Sequence, residues 1–125
     1  MSVLLMLGLS VALGAFGAHA LKKIMSPEKL SVYHTACNYL TSHSIALLVV
    51  LVINITTNFT IRPKSIYSLL SGIIIFCSAL YLVSLSEIMG LPWLSKFGMV
   101  APIGGLLIIL GYLLTALDIY KTKKL

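Results

Sequence analysis

Charge is scarce in this chain of 125 residues: Asp and Glu together number three, and only 10% of residues are charged at all. A soluble domain of ordinary make-up carries roughly 25%, so the soluble globular class is excluded before any motif is read. The three acids are Glu28, Glu87 and Asp118, and none lies in the middle of an apolar run. That removes the mid-membrane carboxylate expected of the proton relays and cation sites of many coupled transporters. Metal-ligand spacing is missing as well. Three histidines and two cysteines are present, but there is no His pair at i, i+4 and no C-x-x-C, which argues against zinc. No G-x-S-x-G is present for serine hydrolase chemistry. An enzyme is therefore the least favoured class, and no sequence feature demands a cofactor. Cys37 and Cys77 both fall inside apolar segments, where cysteine behaves as a small buried hydrophobe, so no disulfide is expected.

What fills the chain is apolar. Hydrophobic residues make up 59%, with a mean hydropathy of +1.07. Spans of about 20 residues, enough to cross a hydrocarbon core of roughly 30 Å, are predicted at 2–21, 36–55, 66–85 and 97–120. The fold class is all-α: a single four-helix transmembrane bundle occupying the whole chain. Ala18-His19-Ala20 imitates a signal-peptidase site. No Lys or Arg precedes that first run and further spans follow, so it reads as a retained helix. Ser26-Pro27-Glu28 is a helix start, with a hydroxyl to cap free N–H groups, proline at N1 and an acid near the positive dipole end. The helix so begun runs unbroken to about Asn54, longer than the core requires. Its first turns, with Lys29, Tyr33 and His34, form an interfacial extension before the second span.

Small residues mark where these helices meet, because close backbone approach drives packing in a bilayer. In the first span Ser10, Gly14 and Ala18 recur every four residues, with Gly17 beside them, and a neighbouring helix is expected on that stripe. Ser71, Gly72, Ser78 and Ala79 form a second small-residue face on span three, which can serve a neighbouring subunit or an internal helix. Span four opens with Ala101-Pro102-Ile103-Gly104-Gly105, where Pro102 is expected to kink the helix and the glycines to let a neighbour approach.

The net charge of +6 comes from cations placed between apolar runs, as topology signals and headgroup contacts are. Lipid is thus the expected partner and nucleic acid is not. Arg62, Lys64, Lys121, Lys123 and Lys124 fall on the side of the termini, against Lys22, Lys23, Lys29 and Lys96 on the other. The excess of one charge places both termini in the cytoplasm. Trp93, Tyr67 and Tyr120 read as interfacial anchors, while Tyr81 and Tyr112 lie deeper and can bond across helices.

Ionisable residues inside a span are functional-site hypotheses by default. His19 lies one turn inside the end of span one. Tyr39 and His43 are four apart and share one face of span two. His19, Tyr39 and His43 form the candidate polar cluster. Its plain reading is interhelical hydrogen bonding by neutral histidines; the alternatives are a haem, a quinone or a lipid headgroup held there.

The runs Gly14-Ala15-Phe16-Gly17-Ala18-His19, Ala36-x-x-Tyr39-x-x-x-His43, Phe76 through Leu80-Tyr81, and Pro102-Ile103-Gly104-Gly105 come in an order that resembles a known family. It is the domain of unknown function 423 family, which includes bacterial inner-membrane proteins and the animal transmembrane protein 256 type. The resemblance covers nearly the whole chain and implies a four-helix membrane fold with no assigned activity. Where the family usually has glutamine, threonine and glycine, this chain has Leu40, Ala101 and Ala20. Loss of the glutamine would deplete any polar site it served. The functional expectation is a non-enzymatic structural or accessory component of a bacterial inner membrane, self-associating or bound to another membrane protein. A ligand-binding protein is the alternative, and a small-solute transporter using the Pro102 to Gly105 break is third.

Overall fold

The computed structural model describes residues 2–123, with side chains as far as residue 122. Lys124, counted above among the topology charges, lies outside the described residues, as does the side chain of Lys123. Four α-helices follow one another: α1 (Ser2–His19), α2 (Pro27–Thr56), α3 (Pro63–Leu85) and α4 (Ala101–Lys123). Short 3-10 segments at Leu21–Lys23 and Pro92–Met99 lead into α2 and α4. The four candidate spans are Ser2–Lys23, Pro27–Thr56, Pro63–Leu85 and Pro92–Thr122.

Each helix packs mainly on the next in the chain, and α3 with α4 is the most intimate pair. The reason is a seam of small side chains. On α3 the buried positions include Ser65, Gly72 and Ala79, seven apart, and Ser86 continues the series just past the helix end. On α4 Ala101, Gly104, Ile108, Gly111, Thr115 and Asp118 are buried at alternating spacings of three and four. This is the heptad pattern of closely supercoiled helices. A Cβ added to Gly104 would lie 2.5 Å from the backbone nitrogen of Phe76, and one added to Gly72 would lie 2.7 Å from that of Ile108. Gly111 meets Leu69 in the same way. Ser68 adds an interhelical bond, its hydroxyl donating to the Leu107 carbonyl at 2.9 Å. The Gly72 and Ala79 face is therefore taken up by α4 within this chain, leaving Ser78 exposed.

Four expectations are revised by the geometry. The buried face of α1 is Val3, Ser10 and Gly17, not the Ser10, Gly14, Ala18 stripe. At about 100° per residue a step of seven drifts only about 20° around a helix, whereas eight residues taken as two fours drift about 80°. Ala18 thus swings into the open, and a Cβ on Gly14 would touch nothing within 4 Å. Pro102 does not kink a long helix. It sits in the first turn of α4, where a missing N–H costs nothing, and the preceding turn is already 3-10. Ser26 stands at the N-cap of α2 but makes no cap bond; its hydroxyl donates instead to Glu87 at 2.7 Å. Gly105 meets Phe76 only at an ordinary 3.8 Å, so Gly104 alone of that pair makes the close approach.

Polar ties close both ends. At one, Lys29 donates to the Val83 carbonyl at 3.1 Å, just before the left-handed turn at Gly90. At the other, the Asp118 carboxylate accepts from the Arg62 side chain at 2.5 Å, from its backbone N–H at 3.0 Å and from Ser65 at 2.6 Å. That carboxylate is 1% exposed.

Candidate functional site

The polar groups of α2 are sorted by helical phase. Tyr33, Cys37, Leu40, Ser44 and Leu47 turn to the core at spacings of three and four. Asn38, Tyr39, Ser42 and His43 turn instead toward the gap between α2 and α4, two helices that flank α3 without packing on each other along their length. The gap holds a cavity of about 460 Å³, lined on α3 by Phe76 and on α4 by residues that include Gly105 and Tyr112. A glycine at 105 leaves that wall flat.

Four rings run in sequence through this groove. Phe76 and Tyr39 have centroids 4.7 Å apart, Tyr39 and His43 5.2 Å, and His43 and Tyr112 5.7 Å. Nδ1 of His43 lies 2.6 Å from the Tyr112 hydroxyl, the hydrogen bond that joins α2 to α4. Either group can donate in this bond, depending on the imidazole tautomer.

Depth follows from α3. Its 23 residues rise about 34 Å at 1.5 Å each, close to the roughly 30 Å of a hydrocarbon core. Arg62 and Lys64 stand at one end and Glu87 just past the other. Phe76 is two residues, about 3 Å, from the middle of that rise. Tyr39, stacked on Phe76, shares its level, and His43 is one turn away. The groove therefore lies close to the middle of the α3 span.

His19 is not part of it. It is exposed at the end of α1, next to the turn carrying Lys22 and Lys23. The register is set by Tyr33, whose ring covers Gly17 and whose hydroxyl donates to the Leu13 carbonyl at 2.8 Å. His43 is ten residues beyond Tyr33 in the opposite direction, so the two histidines are separated by roughly 18–24 Å along the helix axes. Tyr112 takes the place that the sequence grouping gave to His19. Leu40, where the family pattern has glutamine, is 5% exposed in the core and does not line the groove. Tyr81 also bonds across helices, donating to Cys37 Sγ at 3.3 Å. Asn38, Ser42 and Phe76 are further groove residues not grouped by sequence reasoning. Asn38 and Ser42 had a signal, since they fall at i−5 and i−1 from His43 on a helix that is wholly apolar from Ile45 to Ile53. Among the described residues no group of three or more His, Cys, Asp or Glu is gathered that could hold a metal.

The family described as "Protein of unknown function (DUF423)" matches residues 13–105. The chain belongs to the DUF423 family. The matched stretch includes Tyr39, His43, Phe76 and Gly105 but stops short of Tyr112. Among its relatives, the UPF0382 membrane protein of Staphylococcus haemolyticus is 35% identical over 113 residues, covering 90% of this chain and 87% of the relative. The UPF0382 membrane protein of Staphylococcus saprophyticus is 33% identical over 126 residues, 97% of this chain and 99% of the relative. That of Haemophilus influenzae is 35% identical over 115 residues, 92% and 87%. DUF423 membership and these relatives make this a bacterial multi-pass membrane protein. No solved structure matches significantly.

Proposed function

We propose that this DUF423 protein is a non-enzymatic accessory component of the bacterial inner membrane, with both termini cytoplasmic, that works by holding a small lipid-soluble molecule in the groove between α2 and α4. The observation that carries this reading is the hydrogen-bonded His43–Tyr112 pair beside a cavity of about 460 Å³ close to the middle of the α3 span. Small-molecule sites span about 300–1,000 Å³ and combine apolar walls with a few placed polar groups. An ionisable side chain at such depth is costly unless it has a task. Native mass spectra of the protein released from mild detergent test this. A stoichiometric adduct, lost in His43→Ala, is the expected result, and bare protein from every detergent that preserves the fold overturns it.

Self-association is a second reading, favoured by one observation: Gly14 and Ala18 leave an edge of α1 uncovered within the chain. The same spectra report subunit number, and a strictly monomeric mass across several detergents removes it.

A further inference from the structure

We infer that the occupant of the groove is a neutral, lipid-soluble carbonyl compound with a flat ring; the inference rests on the binding reading above and narrows it to a chemical class. Depth excludes two alternatives. Lipid headgroups do not reach the midplane, and acyl tails, which do, offer no hydrogen-bonding atom.

The groove has bonds to give. Asn38 and Ser42 are exposed on α2, and neither side chain has a hydrogen-bond partner among the described residues. An amide and a hydroxyl facing hydrocarbon at mid-membrane cost free energy unless something pairs with them. With Nδ1 bonded to Tyr112, the second ring nitrogen of His43 is left for a guest. The Asn38 amide N–H and the Ser42 hydroxyl can both donate, and a guest that presents acceptors takes up both. No residue lining the cavity carries a formal charge when His43 is neutral. A carboxylate or phosphate would find no counter-charge there, which sets fatty acids and phospholipid headgroups aside. The tilted Tyr39 and Phe76 rings, 4.7 Å apart, and the flat wall at Gly105 suit a planar ring over a branched chain. Carbonyl oxygens on a planar, uncharged, hydrocarbon-soluble ring describe a quinone-type molecule.

The test is equilibrium binding to the full chain in lipid nanodiscs, with three probes of equal tail length: a decyl-substituted benzoquinone, decylbenzene and a decyl-chain carboxylate. The quinone is expected to bind at a 1:1 ratio, at least tenfold more tightly than either control. Asn38→Leu is expected to weaken it about tenfold, the worth of one hydrogen bond of typical strength. Asn38 is exposed, so its replacement leaves the core intact. If decylbenzene binds as well as the quinone, or Asn38→Leu changes nothing, the carbonyl assignment is overturned while the binding groove stands. If the carboxylate binds best, the neutrality argument is overturned. If no probe binds and the protein is a dimer that Asn38→Leu dissociates, a second copy covers the groove and both readings fail together.

Discussion

The glycine seam between α3 and α4 makes a sharp prediction, because two adjacent glycines serve as each other's control. Substituting Gly104→Ala places a Cβ 2.5, 2.8 and 2.9 Å from the N, Cα and Cβ of Phe76. Ordinary contacts begin near 3.4 Å, so the helices must part by about 1 Å. Two of those three atoms are backbone, so no rotamer change relieves the clash. Overpacking of this kind costs about 1–3 kcal/mol. Gly105→Ala meets Phe76 at 3.8 and 3.9 Å, which is normal contact. Both substitutions gain the same helix propensity, up to about 1 kcal/mol, and that gain cancels in the comparison. What remains is the overpacking cost alone, equivalent to roughly 5–10 °C between the two melting midpoints in a chain of this size. Cys37 and Cys77 are 6% and 3% exposed, so a fluorogenic thiol reagent reports opening during a thermal ramp in detergent without any added probe. Gly105→Ala should melt at or above the parent and Gly104→Ala clearly below it. Equal midpoints would refute the seam.

Asp118→Ala leaves the Ser65 hydroxyl and the Arg62 N–H without their acceptor and should cost roughly 3 kcal/mol; Asp118→Asn, which keeps an acceptor oxygen, should recover part of the loss in the same thermal assay. Gly17→Ala drives a Cβ to 2.5 Å from the buried Tyr33 ring and should cost about 1–3 kcal/mol, whereas Tyr33→Phe, which removes only the bond to Leu13, should cost about 1 kcal/mol. His43→Ala and Tyr112→Phe, combined in a double-mutant cycle of thermal stability, should show a coupling of about 0.6 kcal/mol, the typical worth of an interhelical bond in a membrane. A coupling of zero would mean that the 2.6 Å contact contributes nothing.

Much of the architecture was legible because lipid imposes simple rules: 20 apolar residues, cations at the ends, proline at a helix start. Pro27 opens α2 as expected and the chain runs unbroken past Asn54. Sequence is less informative about phase between helices. Tyr39 and His43 share a face because both lie on one helix, and the structure stacks them. His19 was joined to them across two helices, where nothing in the spacing fixes register; Tyr33 on Gly17 fixes it and sends His19 to the far end. Gly111 stands alone in an apolar run and carries no local signal, yet it falls seven residues after Gly104 and repeats the same close approach. Gly14 and Ala18 fit a four-residue period, whereas helices in long contact follow a seven-residue one. The role of Ser26 was assigned by local chemistry, and a partner 61 residues away in Glu87 claimed it instead.

The glycine contacts also bear on how this molecule can move. Backbone pressed on backbone leaves α3 and α4 no side-chain slack, so they behave as a single stiff rod. The softer boundary lies between that rod and α2, and the groove lies across this boundary. The His43–Tyr112 hydrogen bond bridges that boundary at 2.6 Å.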